Sequence, residues 1–173
     1  MVGPFPGPPP GGRGLWSRAG RRVVRPQIEL GGDAAFLVGE DADVEAAVEG
    51  AMVAKFRNTG QSCIAANRFI VHDRVYDAFV ESLVARVEAM TVGNGLAQPC
   101  PDLGQVIDAD RVEAVRSLMD EALALGPTRL TREPSLPDSG TCVSPARLGD
   151  VAGTDPLGTG RLVAAGRPPL PHL

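Results

Sequence analysis

The sequence predicts an α/β layered domain, and three observations carry that expectation. Two short β-prone runs flank Gly31-Gly32, a third stands at Phe69-Ile70-Val71, and three longer stretches repeat apolar residues at helical spacing. The resulting order of strand, helix, strand, helix, helix suits an α/β layer and not a helix bundle. A chain of 173 residues is long enough for one domain of ordinary size with loose ends. With 43% hydrophobic but only 4% aromatic residues, its core must be built from Val, Leu, Ala and a few Phe.

Residues 1–12 are almost entirely Gly and Pro, a composition that buries too little apolar surface to offset the entropy of ordering, so disorder is expected there. Residues 28–30 and 35–38 are the first two strands, with the glycines between them permitting a tight turn and a close backbone approach. Val44, Ala47, Val48, Ala51, Met52 and Lys55 then follow at helical spacing, with Asp41 and Asp43 as candidate N-caps. Residues 68–72 form the third strand. Tyr76, Phe79, Val80, Leu83, Val84 and Val87 make the strongest helical pattern in the chain. Residues 92–101, rich in Gly and Pro, are a loop. Val112, Val115, Met119, Ala122 and Leu123 mark a last helix, with Asp108 near its start and Gly126-Pro127 as its stop. Beyond Gly126 the periodicity fails, and 158–173 are expected to be unstructured or foreign sequence.

Charge and cysteine usage narrow the function. A net charge of −4 and a pI near 5.2 give no electrostatic case for nucleic acid. No apolar run approaches the roughly 20 residues that span a bilayer, so a soluble protein is expected. Cys63, Cys100 and Cys142 are odd in number and lack CxxC spacing or a partnering His cluster. Neither a disulfide framework nor a metal site is expected, and a reducing cytoplasm is the natural compartment.

Two residues carry candidate chemistry. Cys63 lies among Gly60, Gln61 and Ser62 and not on an apolar face, while Glu29 is flanked by Ile28 and Leu30. A lone Cys is ordinarily a small core side chain and a lone Glu a solvated one. A free thiol, only a few per cent ionised at neutral pH, needs backbone amides or a base to become a nucleophile.

The segment Arg57-Asn58-Thr59-Gly60-Gln61-Ser62-Cys63-Ile64-Ala65-Ala66-Asn67-Arg68, with Glu29-Leu30-Gly31-Gly32 before it, resembles the aldehyde dehydrogenase superfamily. Cys63 follows Glu29 by 34 residues, the family's separation between its glutamate and its cysteine. The resemblance implies a partial catalytic domain, three-layer α/β and Rossmann-like, over residues 13–157, close to about residue 126 and divergent over 158–173. It implies Cys63 as the nucleophile that adds to an aldehyde, Glu29 as the base, and Leu30 and Gly31 as cofactor contacts for NAD or NADP. Arg57, in Lys55-Phe56-Arg57-Asn58, is similar to the arginine with which the succinate-semialdehyde branch grips a distal carboxylate, a task suited to a guanidinium fork. The basic stretch at Arg13, Arg18, Arg21, Arg22 and Arg25 resembles the family's helix and connection into the Glu29 strand, and not a targeting segment.

Family members are much longer, so the chain reads as an interior slice of such an enzyme. Gly11-Gly12 lacks the Ser or Thr of the family's phosphate turn, and Arg161 stands where a ribose-holding glutamate is expected. The slice is therefore expected neither to bind the cofactor nor to oxidise an aldehyde alone. The alternative is a non-catalytic remnant, or an interaction module that binds a full-length relative or a second copy of itself.

Overall fold

Structure begins where glycine and proline predict none. In the computed structural model, which describes residues 4–32, 34–124, 128–129, 131, 140–143, 145, 148–149 and 164–165, strand β1 (Pro4–Gly7) is followed by helix α1 (Pro9–Gly20). The expected disorder of residues 1–12 is thus corrected over 4–12. β1 pairs in parallel with β2 (Gln27–Leu30), register Phe5 to Ile28 and Gly7 to Leu30. In a two-stranded ribbon Pro4 and Pro6 can turn their missing N–H sides outward, where no ladder bond is lost. Pro9, with its φ already set, suits the first helical position. Gly12 sits close against β2: a Cβ there would stand 2.6 Å from Leu30 Cδ2 and 3.2 Å from Ile28 Cγ2, so a larger residue would have to push the Leu30 side chain aside.

The second sheet holds the core. Strands β3 (Ala34–Val38), β4 (Ala66–Val71), β5 (Thr128–Arg129), β6 (Leu148–Gly149) and β7 (Ala164–Ala165) lie in the order β3-β4-β7-β6-β5. All neighbours are parallel except β5 and β6. β7 corrects the reading of 158–173 as wholly unstructured, because Arg68 and Phe69 of β4 offer their free backbone edge to Ala164 and Ala165. The rest of 158–173, including Arg161, lies outside the described residues, as does the Gly126-Pro127 helix stop.

Helix α2 (Val44–Phe56) starts at Asp43, whose carboxylate accepts the Ala46 N–H at 3.1 Å. Helix α3 (Asp73–Glu88) starts at His72, whose Nδ1 accepts the Arg74 N–H at 3.3 Å. The two helices bury Val48, Ala51, Phe79, Leu83 and Val87 against Val38, Ala66, Phe69 and Val71 of the sheet. Phe36, Phe69 and Phe79 pack as tilted rings through this core, with centroids 5.4 and 6.4 Å apart. On the other face of β3, Leu37 is 72% exposed. Helix α4 (Ala109–Ala124) follows Asp108, which accepts the Arg111 N–H at 2.8 Å.

Candidate functional site

α2 delivers the chain to the Cys63 loop, and the sequence makes that delivery abrupt. Arg57 leaves helical geometry, after which Asn58, Thr59 and Gly60 take φ of 55°, 56° and 72°. Three successive left-handed residues, one of them β-branched, reverse the chain at a cost of order 1 to 3 kcal/mol for the Thr59 backbone. Local bonds offset it. Asn58 Nδ2 donates to the Gln61 carbonyl at 3.1 Å, and the Gln61 N–H returns to the Asn58 carbonyl at 3.0 Å. The Ile107 N–H donates to Gln61 Oε1 at 3.2 Å, which ties the loop to the segment before α4. Ser62 then caps a turn by accepting from the Ile64 and Ala65 amides at 3.4 and 3.2 Å.

This turn presents Cys63 with its thiol exposed. Its carbonyl accepts the Gly32 N–H at 3.2 Å, and a Cβ on Gly32 would stand 3.1 Å from that same oxygen. The contact brings the cysteine loop onto the turn that leaves β2, three residues past Glu29. One backbone hydrogen bond thus joins Gly32 of the first segment to Cys63 of the second. Glu29 itself is exposed, although Ile28 and Leu30 flank it in the strand. Leu30 is partly exposed, Gly31 half-buried, and Arg57 stands exposed at the end of α2. Among the described residues no group of three or more His, Cys, Asp or Glu side chains is placed to hold a metal ion, and no helix is long and apolar enough to cross a membrane.

One buried group escapes the motif reading. Lys55, spaced with the apolar face of α2, is only 5% exposed, and burial lowers its pKa from 10.5 to about 8. Its Nζ donates to Oδ1 of buried Asn67 at 3.4 Å, and Asn67 Nδ2 donates to the Gly32 carbonyl at 3.3 Å. A lysine recurring in phase with Ala51 and Met52 was the available signal for this inward placement.

The family model described as the aldehyde dehydrogenase family matches residues 4–158. The chain belongs to the aldehyde dehydrogenase family. It is 42% identical over 120 residues to a succinate semialdehyde dehydrogenase of Acinetobacter baylyi, covering 69% of this chain and 25% of that protein. It is 41% identical over 140 residues to a glutarate-semialdehyde dehydrogenase of Pseudomonas aeruginosa, covering 81% and 29%. The solved succinate-semialdehyde dehydrogenase of Burkholderia pseudomallei superposes with a TM-score of 0.85 at 36% identity, over 95% of this chain and 35% of that one. The chain therefore spans between a quarter and about a third of the length of these relatives.

Membership in this aldehyde dehydrogenase family raises the question of a dinucleotide. A pyrophosphate needs free backbone amides at a helix start and glycines that open a path to them. In this chain Pro9 and Pro10 occupy the first two positions of α1 and have no N–H to offer. The ring of Phe5 lies 2.7 Å from where a Cβ of Gly7 would stand and 3.3 Å from that of Gly11, filling the space the glycines would leave. The residues at the β1–α1 turn do not fit a dinucleotide phosphate.

Proposed function

We propose that this chain carries the cysteine and glutamate segment of an NAD(P)-dependent aldehyde dehydrogenase that acts on a semialdehyde, and that the 173-residue chain does not complete the oxidation by itself. The contact between the Gly32 amide and the Cys63 carbonyl carries this reading, because it holds the candidate nucleophile loop against the turn that follows the strand of the candidate base. Cys63 Sγ adds to the aldehyde carbon to give a hemithioacetal, and Glu29 takes the proton from the water that later cleaves the thioester. The hydride acceptor needed between those steps would be a nicotinamide, and the β1–α1 turn of this chain does not fit the phosphates that carry one. Since the phosphate side does not fit, this chain's residues account for addition and for water activation alone. Arg57 supports a substrate with a distal carboxylate, in keeping with the succinate and glutarate semialdehydes in the names of the relatives.

A half-reaction that needs no hydride acceptor tests the assignment. With p-nitrophenyl acetate, Cys63 displaces p-nitrophenolate to form an acyl-cysteine, and water deprotonated by Glu29 then releases acetate. Peptide mapping should find the acetyl group on Cys63, and Glu29→Gln should make it accumulate. Acetylation of Cys100 instead, or hydrolysis indifferent to Glu29→Gln, would remove the assignment.

A second reading, a non-catalytic module that docks on a longer relative or on another copy, draws on apolar side chains left in solvent. Trp16 is 59% exposed, Val23 94% and Val53 61%. Under that reading the chain forms mixed oligomers with a full-length relative on light scattering, and Cys63→Ala leaves them intact.

A further inference from the structure

A buried ammonium is an expensive component of a small core, so the position of Lys55 asks for a reason. Lys55 is 5% exposed and Asn67 8%, and they meet where the inner face of α2 crosses the start of β4. A lysine ammonium only donates, whereas an asparagine amide presents a donor on one side and an acceptor on the other. The Nζ to Oδ1 bond therefore fixes which way the Asn67 amide faces. With Oδ1 turned to Lys55, Nδ2 must face the Gly32 carbonyl, as observed at 3.3 Å. The flipped amide would set two oxygens against each other. The neighbouring Gly32 N–H then points at the Cys63 carbonyl at 3.2 Å. Lys55 also touches the far end of the loop through its backbone, since a Cβ on Gly60 would stand 3.2 Å from the Lys55 carbonyl.

We propose that Lys55 is a positioning residue: by orienting the Asn67 amide it locks the Gly32 turn, and with it the end of the Glu29 strand, onto the Cys63 loop. The consequence for Cys63 reactivity rests on the reading of Cys63 as the nucleophile, whereas the geometric lock does not. Lys55 never touches the reacting atoms. It acts through three hydrogen bonds, Lys55 to Asn67, Asn67 to Gly32 and Gly32 to Cys63.

Three variants and two measurements separate these claims. Lys55→Met keeps the length and apolar stem but frees the Asn67 amide to flip. Asn67→Asp keeps an acceptor for Lys55 but removes the donor to Gly32. The double variant Lys55→Met with Asn67→Leu removes both buried polar groups, which restores packing without restoring the lock. Hydrogen exchange at the Gly32 amide reads the lock directly, and all three variants should lose protection there while far-UV circular dichroism stays unchanged. Alkylation by iodoacetamide, with Cys100 as internal reference, should show the Cys63 rate falling by about fivefold to tenfold in each, the equivalent of one hydrogen bond. A merely structural role predicts that the double variant recovers both protection and rate. Retained Gly32 protection in Lys55→Met overturns the proposal. If wild-type Cys63 reacts no faster than Cys100 while Gly32 protection still responds to Lys55, the nucleophile reading fails and the lock stands.

Discussion

Replacing Lys55 by methionine should stabilise the folded chain near neutral pH, and the gain should disappear in alkali. Burial lowers the Lys55 pKa from 10.5 to about 8, so below pH 8 the fold carries a charge that the unfolded chain solvates better. Between about pH 8 and 10.5 the unfolded state binds the proton and the folded state does not, so wild-type stability rises with pH across that window. At about 1.4 kcal/mol for each pH unit, the full span amounts to roughly 3 kcal/mol. Methionine removes this penalty but leaves Asn67 Oδ1 buried without its donor, which costs about 1 to 3 kcal/mol. The net gain at pH 7 is therefore on the order of 1 kcal/mol, and above about pH 10 the variant becomes the less stable protein. Urea unfolding followed by circular dichroism, at half-unit steps from pH 7 to 10.5, gives the difference between the two proteins and cancels groups that titrate in both. A difference that does not change with pH would refute the argument, because it would mean that Lys55 holds the same proton folded and unfolded. Together with the loss of Cys63 positioning, the expected result describes a residue that costs stability and supports the site.

Two further outcomes follow from the core and from the β1–α1 turn. Phe79→Ala, which empties a fully buried site between α2, α3 and β4, should cost about 3 to 5 kcal/mol and remove cooperative thermal unfolding. Calorimetric titration with NAD or NADP should give no binding heat, because Pro9, Pro10 and the Phe5 ring take the place of phosphate donors; a micromolar dissociation constant would contradict the fit drawn for that turn.

Local periodicity and short-range chemistry were legible from the residues alone. The apolar spacing of α3, the N-cap of α2 at Asp43 and the β-prone runs at 28–30, 35–38 and 68–72 depend on interactions within a few residues, so the sequence by itself determined them. The Glu29 and Cys63 motifs were legible in the same way, as text at a telling separation. The α/β class followed from the order of these pieces. What escaped were features decided between distant residues. Pro4–Gly7 becomes a strand only because Gln27–Leu30 lies alongside, and Ala164–Ala165 becomes one only because β4 and β6 leave a slot. Glu29 is flanked by Ile28 and Leu30 in sequence, yet its exposure is set by what covers β2 in space. Lys55 shares the spacing of an apolar face, but whether its charge turns inward depends on an acceptor 12 residues away on another element. Asn67 reaches Gly32 across 35 residues, and no pattern in a single chain announces that bond. Propensity and capping act along the chain, whereas burial and hydrogen-bond partners are assigned across it, and the candidate site is built from the second kind.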